Sequence, residues 1–219
     1  MLIKLIFFTN IILLMELLNV CREVYKIYFE YGPRSPKKVD YFHNYIKDKL
    51  MSVINTDKYA VELEQNVNSA NYSGKKKCDI VIYDKTTNEV KIILPVKIIM
   101  TSYHKNRNNY FENITGELYL LRRVNPDVVI IPINIIPNTT PVLNDKKEIA
   151  SFESNNNTFV IYKQLEDLCC SDFMFNYIIN VSYDEEIGDK FSKIPNIIDL
   201  STETPFIGYE QVNKYLNND

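Results

Sequence analysis

The run EVKIILPVKIIM, from Glu89 to Met100, constrains the fold more than any other part of the chain. From Val90 onwards it is apolar on both strand faces, without the alternation typical of a strand that has one face in water. Such a strand must be covered on both faces, so the run predicts the centre of a layered sheet. Lys97 stands in the middle of this run and requires an explanation of its own.

The rest of the chain supplies elements for both sides of such a sheet. Helical spacing, short apolar runs and turn residues predict the order helix, helix, strand, strand, strand, helix, strand. The predicted elements are an N-terminal helix that ends at Gly32–Pro36, a second helix over Lys37–Ile54, strands at Tyr59–Gln65, Cys78–Tyr83 and Val90–Met100, a helix over Asn108–Val124 and a strand over Asp127–Ile136. We therefore expect an α/β fold with a central mixed β-sheet of four to six strands, flanked by helices.

No linker or internal repeat divides the chain, so we expect a single domain over residues 1–219. Residues 1–55 form its N-terminal helices, residues 59–141 its core and residues 142–219 a C-terminal elaboration. In the last part the pattern is weaker: it allows a strand at Thr158–Tyr162, a strand or helix at Phe173–Tyr183 and a short amphipathic helix within Thr202–Asp219.

The cysteines and histidines limit the kinds of disulfide and metal site that the chain can form. Four cysteines, two of them adjacent, form no C-x-x-C pair and no disulfide framework, which indicates a reducing compartment. Two histidines in no zinc-binding spacing argue against a zinc enzyme. We expect a protein of the cytoplasm with no membrane partner.

The N-terminus leaves three interpretations open. Lys4 and the apolar run after it resemble the start of a signal peptide, but no small-x-small cleavage site follows. The apolar rhythm instead continues as a helix through Tyr28, which favours a packed N-terminal helix. The alternatives are an upstream extension with the functional start at Met15, and a targeting or anchoring segment.

Charge is segregated along the chain. The segment Lys75–Arg123 has 10 basic and 5 acidic residues, a net charge of +5, which leaves 15 basic and 23 acidic residues, or −8, elsewhere. A positive segment on an acidic protein is typical of a site that faces phosphate, although Lys75–Lys77 alone is equally typical of a solvated turn.

Three charged residues in this segment form a candidate site. Asp79 is predicted on the second strand, on the same face as Val81 and Tyr83. Lys97 lies in the apolar third strand, where an ammonium is costly unless it is paired, lines a polar cleft or extends to solvent at a sheet edge. At about 100° per residue, Glu117 lies roughly 20° from Tyr110 on the inward side of the next helix.

Alternatives remain for Glu117. Its carboxylate reaches the site, reaches solvent, or pairs with Lys105 or Arg122. Gly116 beside it predicts a close approach of the helix to a strand or ligand. Two carboxylates with a nearby lysine suit Mg²⁺ and the charge that develops on a phosphate, the chemistry of phosphodiester hydrolysis.

These residues and their element order resemble the PD-(D/E)xK superfamily of restriction-endonuclease-like nucleases. The family core is a helix, a three-stranded meander, a helix and a strand, with an Asp on the second strand and an acid-x-Lys on the third. Asp79 and Lys97 match that motif, and the tract from Pro95 to Leu121 resembles some type II restriction enzymes. The resemblance, over Tyr59–Pro137, implies a Mg²⁺-dependent endonuclease of restriction-modification systems that cuts double-stranded DNA, as a homodimer or heterodimer, with the main-chain carbonyl of Val96 as a further metal ligand.

The chain departs from the motif at Pro95, which stands where the family has its second acid and supplies no ligand. Glu117 is the candidate to replace that acid, with Glu64, and after it Glu62, as further candidate ligands. The alternative is a catalytically inactive nuclease fold that acts as a DNA-binding or structural module.

For DNA contact, the sequence indicates a basic, amide-rich loop that leads into the helix. Backbone N–H groups at a helix start favour phosphate, and Asn and Arg side chains read bases. The candidates are Tyr103, His104, Lys105, Arg107, Asn108 and Asn109; an exposed loop in an Asn-rich protein is the alternative.

Overall fold

Our computed structural model describes residues 2–32, 34–146, 148–155, 158–169, 174–186, 190–191, 195–202 and 209–217. The α-helices in this part of the chain are α1 (Leu2–Tyr31), α2 (Lys37–Val53), α3 (Tyr103–Arg122), α4 (Glu166–Cys169) and α5 (Val212–Leu216). Short 3₁₀ helices cover Thr158–Leu165 and Tyr209–Gln211. Within the described residues, no helix combines the length and the apolar character that crossing a bilayer requires.

The first two helices follow the predicted boundaries. Helix α1 ends at Tyr31. The next residue, Gly32, has a φ of +86° that is readily adopted only by glycine, and its N–H donates to the Tyr28 carbonyl. Helix α2 presents Phe42, Ile46 and Leu50 to the core, at the spacing of one helix face.

The strands form a more divided set than predicted. They are β1 (Tyr59–Asn68), β2 (Lys75–Asp84), β3 (Val90–Leu94), β4 (Val96–Ile98), β5 (Val129–Ile130), β6 (Ile133–Pro137), β7 (Thr139–Leu143), β8 (Ile149–Ser154), β9 (Phe175–Ser182), β10 (Glu185–Glu186), β11 (Lys190–Phe191) and β12 (Asn196–Thr202). The central run is therefore two strands, because Pro95 interrupts it. The predicted strand Asp127–Ile136 is likewise two strands, β5 and β6.

Two four-stranded sheets, in the orders β1-β2-β3-β5 and β12-β9-β6-β4, make up the centre of the molecule. Strand β2 is antiparallel to both β1 and β3, β3 is parallel to β5, and β6 is parallel to both β4 and β9. Backbone hydrogen bonds from Ile131 to Ile93 and from Ile133 to Pro95 join one sheet to the next. The result is a mixed β-layer made of two four-stranded sheets, where a single sheet of four to six strands was predicted.

Helices cover both faces of this layer. A first core lies between the sheets and helices α1, α2 and α5, and a second core lies between the sheets and helix α3. The central run serves both: Ile92 and Leu94 belong to the first core, and Ile93 and Ile99 to the second. The prediction of an α/β fold with a mixed sheet flanked by helices is therefore confirmed.

The C-terminal part packs on the same cores. The ambiguous segment after residue 173 is the strand β9, and Tyr209, Val212 and Leu216 join the first core. The Tyr59 hydroxyl donates to the Leu216 carbonyl, at 2.6 Å, which ties the end of α5 to β1. Residues 203–208 and 218–219 of the predicted amphipathic tail lie outside the described residues.

Two local predictions are wrong. The predicted strand at Thr158–Tyr162 is a 3₁₀ helix, because Phe159, Tyr162 and Leu165 recur every three residues and together enter the second core. The predicted loop at residues 103–109 is the beginning of helix α3.

Candidate metal centre

The candidate site lies where the central sheet splits. Strands β2 and β3 pair as far as Ile80 and Leu94, and the same register would place Pro95 opposite Asp79. Proline has no N–H to donate, so the ladder ends there. Beyond this point β4 pairs with β6, while residues 75–79 pair with β1. The gap between β4 and the start of β2 is hereafter called the cleft.

Asp79 occupies the cleft. Its Oδ2 accepts a hydrogen bond from the Val96 N–H at 2.7 Å, which replaces the ladder bond that Pro95 cannot make. The alternation of β2 is interrupted here, because Cys78 belongs to the second core and Ile80 to the first. The prediction that the Asp79 side chain lies on the face of Val81 and Tyr83 is therefore wrong: the carboxylate points between the strands.

Ligand atoms of His43, Glu64 and Asp79 all lie within 4.8 Å of one another. Hereafter these three residues are called the triad. His43 comes from helix α2, Glu64 from β1 and Asp79 from β2, so three elements converge. The His43 Nδ1 is 3.5 Å from the Glu64 Oε1, and Glu64 is also 2.7 Å from the Lys77 ammonium. An imidazole and two carboxylates are a donor set that suits a divalent cation.

Backbone geometry directs Glu64 towards the triad. Its neighbours Leu63 and Gln65 pair with Ile80 and Cys78, so Glu64 stands opposite Asp79. Glu64 has a φ of +56°, in the left-handed region that a non-glycine residue occupies only at a cost. Such strained positions concentrate at functional sites, where the surrounding structure maintains them.

Burial controls the protonation of His43, whose side chain is only 3% exposed. Loss of solvent lowers the pKa of His43, although the carboxylates of Asp79, Glu64 and Asp40 act in the opposite direction. At neutral pH the imidazole is therefore uncharged, the form in which a ring nitrogen binds a metal.

On the side of helix α3, Lys97 and Glu117 approach each other. The Lys97 ammonium lies 3.9 Å from the Glu117 Oε2, and the Lys76 ammonium lies 3.5 Å from the same oxygen. The Glu117 side chain is only 9% exposed, whereas that of Lys97 is 33% exposed. Glu117 thus pairs with neither of the cations suggested from sequence, Lys105 and Arg122, but with two cations at the cleft.

Glu117 is not a member of the triad, so the carboxylate that accompanies Asp79 is that of Glu64. Both Glu117 and Asp79 nevertheless influence the same buried thiol. Burial, with smaller contributions from the Glu117 and Asp79 carboxylates, raises the pKa of Cys78 to about 12. Asp79, a member of the triad, and Glu117, the partner of Lys97, therefore both act on Cys78.

The main chain of Val96 also faces the cleft. Pro95 accepts from the Ile133 N–H, and the Ile99 N–H donates to Ile135, so alternate residues of this segment bond to β6. Val96 directs its N–H the other way, to Asp79. Because the N–H and C=O of one residue share a strand edge, the Val96 carbonyl lies on the edge that faces the cleft.

The predicted DNA-binding residues lie on the first turns of α3. Four of them, Tyr103, His104, Arg107 and Asn108, line a cavity of about 500 Å³ between α3 and the 3₁₀ helix Thr158–Leu165. Lys105 and Asn109 are exposed and are not among the lining residues.

The start of α3 is already occupied by a carboxylate. Glu153 Oε2 accepts a hydrogen bond from the His104 N–H at 2.9 Å, where the sequence suggested a phosphate. His104, Asn108 and Phe111 also lie roughly 120–180° around the helix from Glu117. The cavity and the cleft are therefore on different sides of α3.

Sequence reasoning missed His43. The residue precedes Ile46 by three positions and Leu50 by seven, so it lies on the inward face of α2, and this spacing was the available signal. The predicted residues Asp79 and Glu64 meet it in the structure. Comparison of the chain with protein-family models, with curated proteins and with solved structures finds no match.

Proposed function

We propose that this protein is a divalent-metal-dependent endonuclease that hydrolyses phosphodiester bonds in double-stranded DNA, similar to type II restriction enzymes. One observation carries the proposal: Asp79, a member of the triad, accepts a hydrogen bond from the N–H of Val96, the residue next to Lys97 in sequence. Metal ligands beside a lysine are what hydrolysis of a phosphodiester requires.

His43, Glu64 and Asp79 would hold the cation, with the Val96 carbonyl as a further ligand. A bound divalent cation supplies Lewis-acid stabilisation to a phosphate oxygen. Lys97 contributes a fixed positive charge that orients the attacking water or the phosphate, and Asp79 keeps β4 in place through the Val96 N–H.

Mg²⁺ is the cation that we propose, because two carboxylates and a carbonyl are oxygen ligands. The imidazole of His43 would allow the site to bind Mn²⁺ as well, since nitrogen donors bind later divalent metals more strongly than Mg²⁺. We expect Mn²⁺ to replace Mg²⁺ in supporting cleavage.

Charge supports a nucleic-acid substrate. Lys76 and Lys77 lie at the start of β2 and pair with Glu117 and Glu64, so cations border the cleft on both sides. Phosphate attracted to these cations would approach Lys97 and the triad. Cleavage of both strands of a duplex would require two such sites, which is the reason for proposing a homodimer or heterodimer.

Nicking of supercoiled plasmid by the purified protein, with Mg²⁺ or Mn²⁺, tests the proposal. We expect Asp79→Asn and Lys97→Met to lower the cleavage rate by about 100-fold or more, since each removes charge from the reacting centre. Asn at position 79 retains an oxygen acceptor for the Val96 N–H, so the fold should persist. Glu62→Gln is the matched control, because Glu62 lies two residues from Glu64 on β1 but pairs with Lys47, outside the triad. Wild-type rates in Asp79→Asn and Lys97→Met would refute this site.

Pro95 favours a second candidate, a catalytically inactive nuclease fold that binds DNA or another protein. The family's second acid is missing at this position, and the proline removes a ladder bond as well as a ligand. DNA binding without metal-dependent cleavage by the wild-type protein would support this alternative.

A further inference from the structure

The ammonium of Lys77 is bonded to Glu64, one of the three residues of the triad. Its Nζ lies 2.7 Å from the Glu64 Oε2, within hydrogen-bond distance, while the other carboxylate oxygen of Glu64 lies 3.5 Å from the His43 Nδ1. Glu64 stands opposite Asp79 on the neighbouring strand. A divalent cation that used Glu64 as a ligand would therefore meet an ammonium already bonded to that carboxylate.

The neighbouring lysine has a different environment. Lys76 precedes Lys77 on β2, so the two side chains point to opposite faces of the strand. The Lys76 ammonium lies 3.5 Å from the Glu117 Oε2, on the side of helix α3, and Glu117 is not a member of the triad. Of these two adjacent lysines, Lys77 is thus the one that bonds to a triad carboxylate.

The bond between Lys77 and Glu64 is exposed enough to exchange. The Lys77 side chain is 62% exposed and that of Glu64 is 39% exposed. An exposed ion pair contributes little net free energy, because water and salt screen it. A cation of charge +2 held by the three ligand atoms of the triad would compete effectively with such a pair. The displaced ammonium, on its flexible four-carbon stem, would then turn to another anion.

We propose that Lys77 is an internal competitor of the metal: it holds Glu64 in the metal-free protein, competes with the divalent cation for that carboxylate, and passes to a DNA phosphate when the metal binds. Metal and DNA then bind cooperatively, since each removes an interaction that opposes the other. The coupling is reciprocal, because a phosphate that draws the ammonium away also leaves Glu64 free for the metal. The inference rests on the proposed metal site, and its second half rests on DNA as the substrate.

Isothermal titration calorimetry with Mn²⁺, on the whole chain without DNA, tests the competition. We expect Lys77→Met to bind Mn²⁺ about tenfold more tightly than the wild type at low salt, since a positive charge beside the site is removed. The gain should shrink as the salt concentration rises, because the ammonium is exposed. Lys77→Arg keeps the charge and should show no gain. Lys76→Met is the matched control, and its affinity should stay within about twofold of wild type, since its charge lies on the other face.

An unchanged or lower affinity in Lys77→Met would overturn the proposal, and a lower affinity would show that Lys77 keeps Glu64 in place for the metal. An equal gain in Lys76→Met would assign the effect to net charge instead of the bond with Glu64, and would contradict the proposal as well. If neither the wild type nor Lys77→Met binds Mn²⁺, the metal site is refuted and the competition with it.

The second experiment measures the transfer of Lys77 to phosphate. Binding of a DNA duplex is followed by fluorescence anisotropy at several salt concentrations, in a Lys97→Met background that keeps the DNA intact. Each phosphate contact by a cation adds about 0.9 to the slope of log Kd against log salt, so Mn²⁺ should increase this slope by about 0.9 more with Lys77 present than in Lys77→Met. Equal increments, or no DNA binding, would contradict the coupling and leave the competition to the calorimetry. If both results hold but the wild type does not cleave DNA, the nuclease proposal fails and the role of Lys77 stands.

Discussion

At the scale of single residues, His43 is the most informative side chain. It is an uncharged imidazole surrounded by three carboxylates, a combination that burial maintains against their attraction for a proton. Its contribution to folding is consequently sensitive to pH, and the direction follows from linkage. The folded pKa lies below the ordinary value of 6.5, so the unfolded chain takes up the proton first.

We therefore predict that stability is fully present above about pH 6.5 and is lost as the pH falls towards the folded pKa, by at most about 1.4 kcal/mol per pH unit for one proton. His43→Gln, which does not titrate, should flatten this part of the profile. Urea unfolding without metal, between pH 7.5 and pH 5, measures the effect. A variant with the same profile as wild type would contradict the assignment to His43.

The sequence predicted part of this residue-level arrangement. Asp79 and Lys97 were accessible because each is a charge in an otherwise apolar strand. The spacing of His43 indicated that it lies on the inward face of α2, but it did not indicate which residues it contacts. Contacts with strands that are distant in sequence leave no local pattern. The positive φ of Glu64, which directs its carboxylate to Asp79, was equally hidden, because nothing around it in sequence requires a left-handed residue.

At the scale of elements, helix α3 contains a glycine, Gly116, that lowers the stability of the helix. Gly116 was interpreted as allowing close approach to a strand or ligand, but a Cβ placed there would meet no atom within 4 Å. The interpretation is wrong, and the glycine simply costs the helix conformational entropy.

Gly116→Ala should accordingly raise the free energy of unfolding by up to about 1 kcal/mol. Gly74→Ala is the contrasting variant: its Cβ would also meet open space, but its φ of +71° is unfavourable for alanine, so we expect destabilisation of about 1 kcal/mol. Urea midpoints of the two variants should move in opposite directions. A downward shift in Gly116→Ala would show that the glycine has a packing role.

The types of the helices and strands were easier to predict than the positions where a strand is interrupted. The long helices and the three-stranded meander carry clear periodicities, and their limits fall near those predicted. The division of the central run at Pro95 followed from a known property of proline, yet its consequence, a cleft, depends on the strands on either side. The 3₁₀ helix at Thr158–Leu165 was missed because its short apolar run resembles a strand.

At the scale of the whole molecule, the triad draws on both the helical layer and the sheet. A cation bound to the folded protein alone should therefore stabilise it as a unit. At a concentration of about 100 times the Kd, a metal contributes about 2.7 kcal/mol, which corresponds to a rise in Tm of roughly 5–10 °C for a chain of this size.

We predict this rise with Mg²⁺ or Mn²⁺ in the wild type and in Glu62→Gln, and its loss in Asp79→Asn and Glu64→Gln. Differential scanning calorimetry with and without metal measures the shift. Equal shifts in all four proteins would locate the cation elsewhere.

The two helical layers lie on opposite faces of the sheet, with His43 contributed by one and Glu117 by the other. The distance between these two side chains thus reports the spacing of the layers. A partner that pressed on the outer surface of α1 and α2 would move the imidazole relative to the carboxylates while leaving α3 where it is. Pressure on this outer surface, far from the cleft, would then change the affinity of the triad for the ion.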